Sequence, residues 1–304
     1  MKNIELNEIE NLWHFKASAR FASDFKAIDL SYSEIPKSAN NEAVLRVLNA
    51  LNSDLIQVGA HRSGDWEKGW QENYENYKQS KNLNDVIPKY FNKIPLIRWK
   101  QEWIQPNSPT MEYDMLGLIV NLITDSYLEN FSNIYEFGCG TGHNLLRIRN
   151  RLPDVNLIGL DWATSSQALI RQVAVDTSDP KFTGENFDYF KPNRDLKIRD
   201  NSAVITVASL EQTGSKFNEF IDYLVAQKPS LVIHIEPMWE PLDETNLMDY
   251  LSIKYFEKRS YLNGLQKYIE HLESQGTAEI IKKGRTYVGS FYIDGYSLLV
   301  WKPK

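Results

Sequence analysis

The pattern of apolar and polar positions changes near residue 110. Before that point, apolar residues recur with helical spacing only in pieces, such as Val44, Val47 and Leu51, and polar or aromatic stretches separate the pieces. No alternation of strands with helices is visible there. We therefore predict a mainly helical N-terminal region over residues 1–110, which caps a binding site formed by residues 111–304.

From residue 133 onward, short apolar runs alternate with amphipathic stretches. Strands are predicted at 134–137, 155–160, 182–187, 203–208 and 231–235. Helices are predicted at 145–151, 165–175 and 217–225, with a further one ending before Gly276. Two last strands, at 278–291 and 296–301, are predicted to form an antiparallel hairpin with a turn at Asp294 and Gly295. Such alternation predicts an α/β fold with an open, mainly parallel sheet.

The loop after the first of these strands carries glycines at three alternate positions, Gly138, Gly140 and Gly142. Glycine lets the backbone turn sharply and approach a ligand closely, and the following helix offers free N–H groups. A dinucleotide-binding loop would need its third glycine where this chain has His143. Glu136, inside the strand, would repel a pyrophosphate but could hold the ammonium group of a methionine moiety. The loop therefore favours S-adenosylmethionine (SAM) over NAD.

The string Glu136-Phe137-Gly138-Cys139-Gly140-Thr141-Gly142 resembles the signature loop of the class I, Rossmann-like SAM-dependent methyltransferases, and the resemblance covers roughly residues 113–304. It implies a seven-stranded sheet whose last strand is antiparallel. It also implies an acidic residue for the ribose hydroxyls after the second strand, here Asp161, and a polar residue for the adenine amine after the third, here Asp188. Asp161 could instead cap the next helix, and Asp188 could be a solvated loop residue.

The predicted cofactor is SAM, with S-adenosylhomocysteine as its product. The residues expected to bind it are Glu136, Gly138, Gly140, Gly142, Asn144, Asp161, Trp162, Asp188 and Ser209. Cys139, the only cysteine of the chain, is expected to be a small loop residue and not a nucleophile, because no basic partner stands near it in sequence.

Candidate acceptor-side residues follow the fourth and fifth strands. His234 and Glu236 share one face of the fifth strand, and a histidine at its rim could take a proton from an attacking hydroxyl. Both could instead be structural, as a buried histidine and a loop anchor. No third ligand accompanies them, so no metal ion is expected. Gln212 stands where the family often has histidine, so no base is carried over there. The predicted substrate-binding residues are Gln212, Trp239, Tyr255 and Arg259.

Composition narrows the choice of acceptor. The net charge of −6, without an evident basic stripe, speaks against a nucleic-acid partner. No apolar run is long enough for a membrane span, and we expect a soluble, cytoplasmic protein. An aromatic content of 12% with interspersed charges suits a saccharide or another small molecule, so we expect methylation of a hydroxyl on a sugar or glycoconjugate. One alternative is a protein or RNA methyltransferase, but the Asp/Asn-Pro-Pro-Tyr/Phe motif of amine methyltransferases does not follow the fourth strand of this chain. The other alternative is a non-catalytic SAM-binding regulator.

Overall fold

The computed structural model describes residues 1–91 and 93–304, and its N-terminal region is mainly helical, as predicted. The helices are α1 (Leu6–Trp13), α2 (Ala19–Lys26), α3 (Lys37–Leu51) and α4 (Ser63–Ser80). Short 3-10 turns lie at Ala60–Arg62 and Leu83–Val86. The same region also contributes the strands β1 (Lys2–Asn3), β2 (Ser31–Glu34), β3 (Ile97–Trp99) and β4 (Glu102–Pro106).

The remaining two thirds alternate between strands and helices. The helices are α5 (Met111–Ile123), α6 (His143–Arg151), α7 (Thr164–Asp176), α8 (Asn218–Gln227), α9 (Leu247–Arg259) and α10 (Leu265–Ser274). The strands are β5 (Asn133–Phe137), β6 (Asn156–Asp161), β7 (Phe182–Asn186), β8 (Ser202–Val207), β9 (Leu231–Glu236), β10 (Ala278–Arg285), β11 (Val288–Gly289) and β12 (Ser297–Pro303). A 3-10 turn at Leu210–Thr213 follows β8. None of the described helices combines the length and apolar character needed to cross a membrane.

The central sheet has the strand order β10-β12-β9-β8-β5-β6-β7. Neighbours from β9 to β7 pair in parallel, and β12 runs antiparallel to both β9 and β10. Strands β5, β8 and β9 are buried along their whole length because apolar clusters cover both faces of the sheet. The predicted α/β fold, with a Rossmann-like, mainly parallel seven-stranded sheet and an antiparallel C-terminal hairpin, is confirmed.

The connection within the C-terminal hairpin differs from the prediction of one long strand and a tight turn at Asp294 and Gly295. Strand β10 ends at Arg285, and residues 286–296 leave the central sheet. Within this excursion, β11 pairs antiparallel with β3 and completes a second sheet of order β1-β2-β4-β3-β11. The apolar residues of the excursion look like a strand continuing β10, but they pack on the N-terminal region. The two parts of the chain thus share one sheet.

A buried cluster of four charged side chains anchors this excursion. Its members are Arg98, Asp249, Arg285 and Asp294. Arg285 donates to both aspartates, with its Nη1 2.7 Å from Asp249 and its Nη2 2.9 Å from Asp294. Arg98 donates to the main-chain oxygens of Phe291 and, from α9, of Met248. Arg98 therefore ties the excursion to α9.

Candidate active site

The glycine loop between β5 and α6 forms the floor of a cavity at the carboxyl ends of the parallel strands. Gly138 and Gly140 have φ of +67° and +54°, a conformation that side-chain-bearing residues rarely adopt. A Cβ on Gly140 would lie 2.8 Å from the Trp70 ring, and one on Gly138 would lie 2.5 Å from Ser209. The loop therefore needs glycine at both positions to leave this space open.

Two residues that line this cavity, Glu136 and Asn144, each keep a buried hydrogen-bond acceptor without a partner. Asn144 Nδ2 donates to Glu136 Oε1 at 2.8 Å, which leaves Glu136 Oε2 and Asn144 Oδ1 buried without a protein partner. Burial raises the pKa of Glu136 to about 8, against the opposing effect of the Asn144 hydrogen bond. A buried acceptor without a donor is costly, so this corner suits a ligand that donates hydrogen bonds and carries positive charge.

Asp161, the last residue of β6, braces the loop and also lines the cavity. Its Oδ2 accepts from the Gly140 main-chain N–H and its Oδ1 from that of Ala163, both at 2.9 Å. Burial raises its pKa to about 6. Each carboxylate oxygen has a second lone pair, so the side chain can still accept hydrogen bonds from a ligand.

Aromatic rings form the walls and roof of this first cavity. Trp162 stacks on Phe190 with ring centroids 6.0 Å apart, and Tyr189 donates to or accepts from Ser209 Oγ at 3.0 Å. Trp66 and Trp70, both on α4, stack 5.3 Å apart over the loop. A planar ring with a polar edge is the kind of ligand such walls accommodate.

Helix α4 is held over the cavity by a capping contact. The carboxylate of Glu67 accepts from the main-chain N–H groups of Thr164 and Ser165, at 2.6 and 2.9 Å. These are free donors at the start of α7, where the helix dipole favours a negative charge. The N-terminal region thus forms part of the first cavity.

A second cavity, of about 620 Å³, adjoins the first. Trp66, Trp70, Tyr90, Ala208 and Gln212 line both. The second cavity is also lined by Tyr255, Arg259 and Tyr261 from α9 and its end, by Tyr292 and Tyr296 from the excursion, and by Glu112 from α5. Three polar atoms on its wall are buried without a partner: Glu211 Oε2, Gln212 Oε1 and Arg259 Nε.

Glu236 is an anchor of the turn after β8. Its carboxylate accepts from the main-chain N–H groups of Ser209 and Leu210, at 3.0 and 3.1 Å, and lines neither cavity. Burial and the neighbouring Glu211 raise its pKa well above the ordinary value. Glu211, whose Oε1 accepts from Gln212 Nε2 at 2.9 Å, is the carboxylate of this pair that faces the second cavity. The structure thus corrects the expected placement of Glu236 at the reaction centre.

The structure also places His234 away from the predicted rim. Its ring is completely buried in the core, with Nδ1 2.9 Å from Thr206 Oγ1 and Nε2 accepting from Trp301 Nε1 at 3.1 Å. Burial lowers its pKa to about 3. With both nitrogens bonded and no path to a cavity, His234 cannot reach an acceptor. Period-2 geometry had identified its face correctly, but that face is covered by β12 side chains.

Three further predicted residues lie outside both cavities. Gly142 starts α6 and faces the core, where a Cβ would lie 3.1 Å from Ile170. Asp188 accepts from the main-chain N–H of Phe190 at 2.8 Å in a local turn. Trp239 lies in the turn after β9, where its oxygen accepts from Leu242. The other predicted residues line the cavities: Glu136, Gly138, Gly140, Asn144, Asp161, Trp162 and Ser209 the first, Gln212 both, and Tyr255 and Arg259 the second.

Within residues 1–91 and 93–304, no group of three or more His, Cys, Asp or Glu side chains is arranged to hold a metal ion. Cys139 is buried, and burial raises the pKa of its thiol well above the ordinary value. It therefore stays protonated and unreactive near neutral pH.

Comparisons with known proteins concern the fold. No family model and no curated protein sequence matches this chain. The crystal structure of TnmH is similar at 14% identity, covering 88% of this chain and 70% of that one with a TM-score of 0.49. The [4+2]-cyclase SpnF matches at 12% identity, over 76% and 95%, with a TM-score of 0.49. Human N-acetylserotonin methyltransferase in complex with SAM matches at 12%, over 80% and 65%, with a TM-score of 0.43.

The seven-stranded sheet with its antiparallel last strand, β12, is the one that the resemblance implied. The chain has a Rossmann-like fold. At the identities found, what the similar proteins bind or catalyse does not transfer to this chain, so the assignment of chemistry rests on its own cavities.

Proposed function

We propose that this chain transfers a methyl group from SAM to a small-molecule acceptor, and more specifically to a hydroxyl of a sugar or glycoconjugate. The observation that carries the proposal is the pair of unpaired acceptors, Glu136 Oε2 and Asn144 Oδ1, in a cavity that opens into a second one. They match an ammonium group, and the aromatic walls match an adenine.

Each part of the first cavity has a role toward SAM. Glu136 and Asn144 hold the ammonium group, Asp161 accepts from the ribose hydroxyls, and Trp162 with Phe190 covers the adenine. SAM supplies a methyl group already activated on a sulfonium, so the chain's task is to align the acceptor and exclude water. The shared wall of the two cavities is where such alignment takes place.

The second cavity supports a polyhydroxylated acceptor. Tyr255 and Tyr292 stack with centroids 4.8 Å apart, and sugar rings pack against such aromatic surfaces. The unpaired Glu211 Oε2, Gln212 Oε1 and Arg259 Nε offer two acceptors and one donor to hydroxyl groups.

Calorimetric titration with SAM, S-adenosylhomocysteine and NAD tests the cofactor. Because the pKa of Glu136 lies near 8, its carboxyl holds a proton at pH 7 and loses it when a cationic group binds. SAM binding should therefore release close to one proton, measured from enthalpies in buffers of different ionisation heat. Glu136→Gln should release none and bind SAM roughly tenfold or more weakly, as expected for a charge-assisted hydrogen bond of about 1.5–3 kcal/mol.

Asp161→Asn should also weaken SAM binding, whereas Asp188→Asn, outside the cavity lining, is the matched control and should bind as the unmodified chain does. Binding of NAD without SAM would overturn the cofactor proposal.

A screen of sugars, phenols, peptides and RNA, with S-adenosylhomocysteine formation as readout, tests the acceptor. Turnover on peptide or RNA alone would replace the sugar assignment, and tight SAM binding without any turnover would favour a regulator.

A further inference from the structure

One carboxylate that lines the second cavity, that of Glu112, does not belong to the turn after β8. Glu112 lies in the first turn of α5, and Tyr296 Oη donates to its Oε1 at 3.2 Å. The titratable groups that interact with it are Tyr296, through this hydrogen bond, and Tyr90. In the part of the chain that the structure describes, no Lys or Arg forms a salt bridge with it.

Glu112 lines the second cavity close to Tyr90, a residue that lines both cavities. The carboxylates of Glu211, Glu112 and Glu136 all lie close enough to Tyr90 to raise the pKa of its hydroxyl, in addition to the effect of burial. The carboxylate that faces the second cavity at this point is therefore close to the place where an acceptor must meet the cofactor's methyl group.

Other candidate bases are engaged elsewhere. His234 is buried and bonded on both nitrogens, and burial lowers the pKa of His143, in the first cavity, to about 3. Glu211 also faces the second cavity, but one of its oxygens accepts from Gln212 and the buried Glu236 lies beside it, so we assign its free oxygen to holding an acceptor hydroxyl.

We propose, resting on the methyltransferase function above, that Glu112 is the general base that accepts the proton of the acceptor hydroxyl and that Tyr296 is its positioning residue. The hydroxyl O–H bond breaks and its proton goes to the Glu112 carboxylate. The oxygen forms a bond to the methyl carbon, and the carbon–sulfur bond breaks with its electron pair left on sulfur. The sulfonium charge is neutralised, and no oxidant or reductant takes part.

The electrostatics suit this role. Burial raises the pKa of Glu112 to about 7, while the Tyr296 hydrogen bond opposes the rise. A base whose pKa lies near the working pH combines a useful ionised fraction with greater proton affinity than an ordinary carboxylate. In this proposal a carboxylate from the start of α5 takes the role that was predicted from the sequence for His234 and Glu236 of the fifth strand.

Two probe acceptors test the assignment: methyl α-glucoside, which needs a base, and 4-nitrophenol, which is largely ionised by itself at mildly alkaline pH. Glu112→Gln should lower kcat on the glucoside by about 10²-fold or more, since general bases contribute ~10²–10⁴-fold, and change the nitrophenol rate only a few-fold. Tyr296→Phe should shift the acid limb of the pH–rate profile to higher pH, because the lost hydrogen bond had lowered the pKa of Glu112. A merely structural tyrosine would change the rate without this shift.

A second measurement needs no acceptor. In ¹³C-carboxyl NMR with S-adenosylhomocysteine present, one glutamate resonance should titrate near pH 7 and vanish in Glu112→Gln. Asp114→Asn, on the same helical turn but outside the cavity lining, is the control and should retain both that resonance and activity. A Glu112 resonance with an ordinary carboxyl pKa, or unchanged glucoside turnover in Glu112→Gln, would overturn the proposal. SAM affinity, which should be normal in Glu112→Gln, tests the proposed function separately.

Discussion

Replacing Asp249 by asparagine removes one charge from the buried cluster that holds residues 286–296 against the rest of the fold. Asp249 is fully buried and accepts from Arg285, from Gln101 Nε2 at 2.8 Å and from the main-chain N–H of Asp243 at 3.0 Å. Asparagine has nearly the same shape as aspartate, but the substitution leaves the cluster with two arginines and one carboxylate. Breaking a buried ion pair in this way costs about 3–5 kcal/mol. Since domains are stable by roughly 5–15 kcal/mol, the variant should still fold at 25 °C.

A double-mutant cycle isolates the interaction. Arg285→Met should also cost about 3–5 kcal/mol, but Asp249→Asn combined with Arg285→Met should cost much less than the sum, because no charge of the pair is left unmatched. The free energies of unfolding come from urea titrations followed by tryptophan fluorescence. Lys254→Gln, which breaks an exposed pair with Glu257, is the control and should cost under about 1 kcal/mol. Additive losses in the cycle would refute the reasoning.

The pH dependence of the free energy of unfolding tests the same ion pair. Burial alone would raise the pKa of Asp249, but the hydrogen bonds from Arg285 and from the Asp243 main chain outweigh it, so the pKa is lowered on folding. A carboxyl with a lowered folded pKa stabilises the protein above its unfolded pKa, and that contribution is lost as the pH falls through the folded value. Asp249→Asn should therefore flatten the acid side of the stability profile. Because residues 290–293, 295 and 296 line the second cavity, acceptor binding should weaken while SAM binding is unchanged.

Three shorter predictions concern the first cavity and the core. Gly140→Ala, at φ +54° and with its Cβ 2.8 Å from Trp70, should bind SAM at least roughly tenfold more weakly in calorimetry, with an unchanged circular dichroism spectrum. Glu67→Gln, which removes the charge at the start of α7, should cost about 0.5–2 kcal/mol in urea unfolding; no loss would mean that the cap is not formed in solution. His234→Gln should cost about 1–3 kcal/mol of stability yet leave the pH–rate profile unchanged, and a shifted profile would restore His234 as a base.

The sequence predicted those features that depend on local patterns. The parallel strands β5, β6, β8 and β9 are largely apolar runs because both of their faces are covered, and each was predicted within about one residue of its bounds. The lining residues Glu136, Gly138, Gly140 and Asp161 were predictable because their roles depend on their position at a strand end or in one loop.

What the sequence could not predict depends on contacts between distant segments. Trp66 and Trp70 were visible as aromatic residues, but nothing in their own helix says that it covers the glycine loop, a placement that requires Glu67 to reach α7. Glu112 is an ordinary acidic residue in the first turn of a helix until Tyr296 is brought against it. The structure does not place His234 at the predicted rim, because strand periodicity shows on which face of a strand a side chain lies but not which residues cover that face.

The distribution of charge around the passage links the cofactor and the acceptor. Glu136, Glu211 and Glu112 all contribute carboxylates there, and two of them keep an oxygen that no protein donor satisfies. Several carboxylates close together each hold protons more tightly, which is costly unless a cation arrives to balance them. A sulfonium provides that positive charge until the methyl group leaves, and its loss at transfer is matched by the proton that a carboxylate gains. The pyrophosphate of a dinucleotide would add negative charge beside these acids, so the same residues that favour SAM binding also explain why the proposed base is a carboxylate.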